Sequence, residues 1–250
     1  MNIIIDGKNC ECERGEFLRD VAFRNDIFIP GLCHHDGLAG ASCCRVCIVE
    51  MAESGRRKIV SSCVYPIEDI CVVFTNSEKV QEQRAMILAF LAKSAPESEE
   101  VANLARVYNA PGLPRLKAAK EGRCILCGAC VNACGKLGAG AISAINRGID
   151  KKIATPYDEA NPDCIGCGSC AAVCPVKAIP LSEEKGVRSI WNKDFTLRYC
   201  TECGEEAGTA EEASFAALKA GIPEDTLCGK CRQKKMAGQI ARTYGLRTED

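Results

Sequence analysis

The sequence predicts an α+β fold that is divided into four consecutive units. The first part of the chain contains short segments rich in β-branched residues and one segment whose apolar residues have helical spacing. One long amphipathic segment follows. A C-x2-C-x2-C-x3-C cysteine pattern then occurs twice, and two more C-x2-C pairs lie near the C-terminus. We therefore expect units at residues 1–77, 78–116, 117–190 and 191–250.

The first unit has the order of elements of a β-grasp domain. The apolar patterns predict a strand and turn at Asn2–Lys8 and a helix at Glu16–Asn25. Further strands are predicted at Val46–Met51, Lys58–Val60 and Ile70–Thr75. A loop that contains Cys33, Cys43 and Cys44 separates the helix from the later strands.

Four cysteines of the first unit have the spacing of [2Fe-2S] ligands, with one close pair and two distant flanking thiolates. They are Cys33, Cys44, Cys47 and Cys63. Cys43 adjoins Cys44 and is a rival ligand, but we expect it to be dispensable.

The other cysteines and the two histidines of this unit fit no ligand set. Cys10, Cys12 and Cys71 are expected to be small buried apolar residues. A Rieske centre needs two histidines that replace two cysteines, each at a distance from a cysteine. His34 and His35 are adjacent and accompany an intact four-cysteine set, so we expect them to lie near the cluster or at the surface without binding iron.

The second unit is predicted to be a helical connector. One amphipathic helix is indicated by an apolar stripe with a charged opposite face, formed by Val80, Arg84, Ile87, Leu88 and Leu91. Ala95-Pro96 ends this helix, and the acidic run Glu97–Glu100 is expected to be a solvated linker.

The third unit contains the repeated pattern, which is typical of two [4Fe-4S] clusters. Its segments Arg123–Cys130 and Cys174–Ile179 resemble bacterial-type ferredoxins, except that Gly135 stands where proline often follows the first motif. In such modules the fourth cysteine of each motif binds the other cluster. The resemblance thus assigns one cluster to Cys124, Cys127, Cys130 and Cys174, and the second to Cys164, Cys167, Cys170 and Cys134.

The fourth unit contains two cysteine pairs that enclose a helix predicted at Ala210–Ala220. Four thiolates in this arrangement bind either one zinc ion or a further [4Fe-4S] cluster. The set is Cys200, Cys203, Cys228 and Cys231. Charged neighbours such as Glu202 and Lys230 favour zinc, although the spacing between the pairs is longer than in common zinc sites.

Composition excludes several classes of protein. Twenty cysteines in 250 residues without a secretory leader indicate metal binding in a reducing cytoplasm rather than a disulfide scaffold. The net charge of −1 gives no basic surplus for nucleic-acid binding. The longest apolar stretch, Ala85–Ala92, is too short to insert into a membrane.

The first unit also resembles a known family. Ile27–His35 and Cys44–Glu50 are similar to the N-terminal domain of the large iron-sulfur subunits of NADH dehydrogenases, and to related subunits of NAD(P)-linked hydrogenases and formate dehydrogenases. Members of the respiratory family usually have a further cluster bound by one histidine and three cysteines. Residues 72–123 contain neither residue type, so we expect that cluster to be absent.

The resemblance implies an electron-transfer subunit without catalytic residues of its own. The first unit would face a flavin-containing, NAD(P)H-oxidising subunit, and the later clusters would face a hydrogenase or formate dehydrogenase catalytic subunit, for example in an electron-bifurcating complex. The chain stops where the large subunits of the family continue into a catalytic domain, so we expect a separately made relay. Two alternatives are a peripheral-arm subunit of a membrane-linked NADH:quinone oxidoreductase and a redox-sensing or assembly protein.

Overall fold

The computed structural model describes residues 1–38, 41–53, 55–118 and 122–245. In these ranges the chain combines helices with three small β-sheets, which confirms the predicted α+β class. The described helices are no candidates for a membrane span, because none of them is both long and apolar enough.

The first unit is a five-stranded sheet with one helix packed against it. Its elements are β1 (Asn2–Ile5), β2 (Lys8–Glu11), α1 (Leu18–Arg24), β3 (Ile48–Glu53), β4 (Arg56–Ser61) and β5 (Val72–Phe74). The strand order is β2-β1-β5-β3-β4, with β1 and β5 parallel and the other pairs antiparallel.

Alternation along the strands explains how this unit forms its core. Ile3 and Ile5 point to one face of β1 and are fully buried, whereas Asn2 and Ile4 are exposed on the other face. Leu18 and Val21 of α1 are fully buried against that face. The core also contains Cys10, Cys12 and Cys71, which are buried as expected for small apolar side chains.

The short strand β2 was not predicted separately from β1. Asp6 and Gly7 have φ values of 48° and 84°, and this left-handed pair reverses the chain within two residues. Such a tight turn pairs β2 with β1 to form a hairpin.

The connector contains two helices, α2 (Glu78–Ser94) and α3 (Glu99–Val107). The first helix is the predicted one, and its Ser77 side chain accepts a hydrogen bond from the amide of Val80. The second helix was missed, because Glu97–Glu100 was interpreted as a solvated linker. Ser98 caps this helix through the amide of Val101, and the acidic residues after Ser98 occupy the first turn, where a helix favours negative charge.

The third unit has a pseudo-repeated helix after each cysteine loop. Its elements are α4 (Ala129–Leu137), β6 (Ser143–Ile145), β7 (Lys152–Ala154) and α5 (Ser169–Ala172). Gly128 and Gly168 precede the two helices with φ values of 76° and 71°, a left-handed conformation in which glycine carries little strain.

A four-stranded antiparallel sheet joins the third unit to the fourth. Its strands are β8 (Ser182–Glu184), β9 (Val187–Ile190), β10 (Lys193–Tyr199) and β11 (Glu206–Thr209), and α6 (Ala210–Ala220) and α7 (Gly229–Tyr244) follow. The predicted division after residue 190 therefore falls inside the β9–β10 hairpin, at the end of β9. The bounds of α6 are those predicted from the sequence.

Candidate iron-sulfur and metal centres

The four candidate [2Fe-2S] ligands come together at the edge of the first unit. Cys33, Cys44, Cys47 and Cys63 are all buried, and the sulfurs of Cys47 and Cys63 are 3.3 Å apart. A hydrogen bond with Cys63 lowers the pKa of Cys47 to about 6, and a hydrogen bond with Cys33 lowers the pKa of Cys44 to about 5. The same hydrogen bonds raise the pKa values of the partners Cys63 and Cys33, so each pair favours one thiolate, the form of cysteine that binds iron.

The neighbours of this set occupy distinct positions. Cys43 is exposed, and its thiol donates to the carbonyl of Ala41 at 3.3 Å. His35 is exposed, whereas Nδ1 of the largely buried His34 has no hydrogen-bond partner in the described part of the chain. His34 Nε2 lies 3.3 Å from Asp36.

Arg84 of α2 fixes the backbone around Cys47, a role that the sequence reasoning did not find. This side chain is fully buried. Its guanidinium donates to the carbonyls of Val46 at 3.0 Å and Ile48 at 2.7 Å, the two neighbours of Cys47. It also donates to the carbonyl of Thr75 at 3.1 Å. Its place in an otherwise apolar stripe was the signal that could have identified it.

The first cysteine motif of the third unit lies close to Cys174 of the second motif. Burial raises the pKa values of Cys124 and Cys127, and the nearby Cys174 raises both further. The amide of Leu126 donates to the sulfur of Cys124 at 3.4 Å, and that of Ala178 donates to the sulfur of Cys174 at 3.2 Å. The proximity of Cys174 to the first motif supports the predicted crossing of the ligands.

The second motif encloses an apolar cavity with Cys134 of the first motif. Cys134, Cys164, Cys167 and Cys170 line the cavity together with Trp191. The amide of Ala141 donates to the sulfur of Cys134 at 3.2 Å, so this thiol has the backbone donor typical of a cluster ligand. The donor set is thus suited to a cluster that takes three ligands from one motif and one from the other.

The loops of the two motifs have the same backbone conformation but different side chains. Leu126 and Gly166 occupy equivalent positions with φ values of 54° and 67°. A Cβ atom at Gly166 would lie 2.5 Å from the Phe195 ring of β10, which packs directly on this loop. Glycine is therefore required in the second loop, where leucine is accommodated in the first.

The C-terminal cysteines form a compact tetrad. The sulfurs of Cys200, Cys203, Cys228 and Cys231 lie within 4.8 Å of one another. Cys228 caps α7 by accepting the amide of Cys231 at 3.5 Å. A backbone hydrogen bond from Cys228 is the main cause that lowers the pKa of Cys200 to about 6. The sequence prediction of a four-cysteine site is confirmed.

The first three candidate centres follow one another through shared cores. Cys33 and Cys44 lie in one buried apolar cluster with Cys127, between Val46, Leu88, Val101, Ile125 and Val176. Lys136 of α4 also donates to the carbonyl of Gly37 in the first unit at 2.8 Å. Cys130 shares the next apolar cluster with Cys164 and Cys170.

Known iron-sulfur families match three parts of the chain. Residues 1–78 match the 2Fe-2S iron-sulfur cluster binding domain. Residues 118–181 and 163–210 each match a 4Fe-4S dicluster domain. The second of these dicluster matches extends beyond residue 190, as the β9–β10 hairpin does.

Individual relatives are larger proteins of NAD(P)-linked electron transfer. The chain is 26% identical to a subunit of the NADH-quinone oxidoreductase of Rhizobium meliloti, over 93% of this chain and 31% of that protein. It is 31% identical to NADP-reducing hydrogenase subunit HndD of Solidesulfovibrio fructosivorans, over 86% of this chain and 42% of that protein. The chain thus spans less than half the length of these two relatives.

One solved structure extends this similarity to the fold. A chain of an NAD+-reducing [NiFe]-hydrogenase in the H2-reduced state has a TM-score of 0.53 and 25% identity, over 62% of this chain and 74% of that one. The similarities confirm the resemblance inferred from Ile27–His35 and Cys44–Glu50.

Proposed function

We propose, from its homology to iron-sulfur subunits of NADH dehydrogenases and NAD(P)-reducing hydrogenases, that this chain relays electrons between two partner subunits. The observation that carries the proposal is the contiguity of three cysteine centres, with Cys33 and Cys44 in one core with Cys127, and Cys130 in the next core with Cys164 and Cys170. Each centre would hold a one-electron carrier, and adjacent carriers form a path through the chain.

We assign one end of this path to the first unit. A flavin-containing, NAD(P)H-oxidising subunit would contact the [2Fe-2S] domain, and the catalytic subunit, a hydrogenase or formate dehydrogenase, would contact the far end. The surface beside the first centre suits a partner, because Phe23 and Phe28 are 79% and 78% exposed. Large aromatic side chains that are this exposed to solvent are typical of interaction surfaces.

We expect the isolated protein to accept electrons from dithionite but to show no NADH-dependent reduction of viologen. None of its candidate centres offers a hydride-accepting group, so NADH oxidation requires the flavin of a partner. Anaerobic assays of homogeneous, flavin-free protein, with and without an added flavin-containing diaphorase subunit, measure this directly. NADH:viologen reductase activity of the protein alone would contradict a pure relay.

The NADH:quinone alternative rests on a specific similarity, since the match to the Rhizobium meliloti NADH-quinone oxidoreductase protein covers 93% of this chain. Activity assays of the assembled complex with different substrates and acceptors separate the two alternatives. A relay that belongs to a quinone reductase supports electron transfer to quinone in the assembled complex, whereas the favoured relay supports hydrogen or formate turnover.

For the C-terminal tetrad we propose zinc. Two sulfurs bound to one tetrahedral zinc ion at about 2.3 Å are about 3.8 Å apart. The four sulfurs here lie within 4.8 Å of one another, and those of Cys203 and Cys228 are 3.6 Å apart, so the set is close to the spacing that a single ion requires. The thiolates of a [4Fe-4S] cluster bind four separate irons and must therefore lie farther apart. A zinc ion would stabilise this unit without extending the electron path.

The anaerobically purified protein should therefore contain about ten irons and about one zinc per chain. This corresponds to one [2Fe-2S] cluster, two [4Fe-4S] clusters and one zinc ion. Metal analysis of the wild type and of Cys203→Ala gives the test, because Cys203 is an exposed member of the tetrad. The variant should lose zinc and keep its iron. About fourteen irons without zinc in the wild type would instead indicate a fourth cluster.

A further inference from the structure

Side chains from the C-terminal sheet hold the loop of the second cysteine motif. Three successive carbonyls of this loop each accept a hydrogen bond from a different element. Lys193 Nζ donates to Cys164 at 2.8 Å, Thr209 Oγ1 to Ile165 at 2.6 Å, and the Arg188 guanidinium to Gly166 at 2.8 Å. The loop therefore has a fixed position relative to the β9–β10 hairpin.

The tip of that hairpin contacts a cluster ligand directly. Trp191 and Asn192 form its two-residue turn, both in the left-handed conformation with φ values of 54° and 58°. This turn directs the indole over the cavity of the second motif, where its Nε1–H donates to the sulfur of Cys170 at 3.3 Å. The indole is half-buried, so water has limited access to this bond.

A hydrogen bond to a ligand sulfur changes the balance between the two oxidation states. One-electron reduction adds negative charge to the cluster and its thiolates, and a donor aimed at a thiolate stabilises the more negative state more strongly. Such donors therefore raise the reduction potential. Lys193 acts in the same direction, because its ammonium group lies 2.8 Å from the carbonyl oxygen of Cys164 and adds positive charge beside the cluster.

We propose that Trp191 is a positioning residue that raises the reduction potential of the cluster bound by Cys164, Cys167, Cys170 and Cys134. This inference deepens the proposed function and rests on a [4Fe-4S] cluster at this site. It does not depend on which partner subunits the chain meets. Its role would be to make this centre a more favourable acceptor for an electron that arrives from the neighbouring centre.

The test is a redox titration of Trp191→Phe followed by EPR. Phenylalanine keeps an aromatic ring over the cavity but removes the N–H donor. We expect the reduction equilibrium of this cluster to become less favourable by roughly tenfold, about 59 mV for one electron. The other [4Fe-4S] signal and the [2Fe-2S] signal should keep their midpoints. The shifted signal should be the one that Cys164→Ala removes.

Tyr199→Phe is the matched control, because Tyr199 is an exposed donor on the same hairpin, 56% accessible to solvent. It should titrate like the wild type. An unchanged midpoint in Trp191→Phe, with the cluster present, would overturn the proposal. Failure of this proposal can be distinguished from failure of the proposed electron relay, because the redox titration needs no partner subunit.

A second measurement covers the case in which Trp191→Phe does not assemble its cluster. Trp191 is the one tryptophan in the sequence, so intrinsic fluorescence reports on this indole alone. Emission of the wild type should be strongly quenched when the clusters are reconstituted and restored when iron is chelated. In Cys164→Ala, which keeps the other clusters, most of this quenching should disappear. Equal quenching in both proteins would show that the indole does not contact this cluster and would reject the proposal.

Discussion

Replacing Cys174 by alanine should remove the cluster whose other three ligands are Cys124, Cys127 and Cys130. Replacing Cys134 should instead remove the cluster of the second motif. Both expectations follow from crossed ligation. Cys174 is close enough to Cys124 and Cys127 to affect their pKa values, and Cys134 lines the cavity of the second motif.

Iron analysis and EPR of the two single variants measure this effect. Each variant should lose about four irons and one [4Fe-4S] signal, and the two lost signals should differ. Cys43→Ala is the control, because Cys43 is exposed and belongs to none of the proposed ligand sets. It should keep all signals, including that of the [2Fe-2S] cluster. Loss of the Cys124–Cys130 cluster in Cys134→Ala would show that each motif binds its own cluster.

Arg84→Ala should destabilise the first unit by roughly 3–5 kcal/mol. The substitution leaves the buried carbonyls of Val46, Ile48 and Thr75 without their donor, and it opens a cavity beside α2. The guanidinium also lies 5.1 Å from the centre of the Tyr108 ring, so a contact between α2 and the C-terminal end of α3 is lost. We expect the melting temperature of this unit to fall by about 12 °C or more.

Two comparisons identify the cause of that loss. Lys79→Ala removes a cation from an exposed position on the same helix and should leave the melting temperature nearly unchanged. Arg84→Lys keeps the charge but offers a single ammonium in place of the planar fork, so it should give an intermediate result. Visible circular dichroism of the [2Fe-2S] cluster should weaken in Arg84→Ala, because Val46 and Ile48 flank Cys47. A fully stable Arg84→Ala would show that these hydrogen bonds are replaceable.

The sequence predicts those ligand motifs and helices that depend on residues close together in the chain. The cysteine spacings indicate the iron-sulfur and four-cysteine units, and the apolar stripe of the connector predicts α2. The bounds of α6 are also predicted, because its N-cap Thr209 and its C-terminal Gly221 are local signals. The run of three isoleucines in β1 predicts a strand but does not indicate which of them face the core, since Ile4 is exposed while Ile3 and Ile5 are buried.

Roles that arise from contacts between residues far apart in the sequence could not be predicted. Arg84 looks like an irregularity in an apolar helix face until its acceptors, which lie far away in the sequence, are known. Trp191 lies in a turn without any ligand motif, and its role arises only because the hairpin folds back over Cys170. Helix α3 was missed because an acidic run is interpreted as a solvated linker unless Ser98 is recognised as the N-cap of a helix.

The core shared by Cys33, Cys44 and Cys127 affects the rate of electron transfer between the first two proposed centres. Domains that are joined by a flexible linker and a small interface exchange contacts on the microsecond to millisecond scale, and a reaction between them waits for each approach. Here the first unit and the first cysteine motif are packed into one interior, so their separation is held constant. Passage of an electron between the two proposed centres would then be set by driving force and distance, and would be insensitive to the viscosity of the solvent.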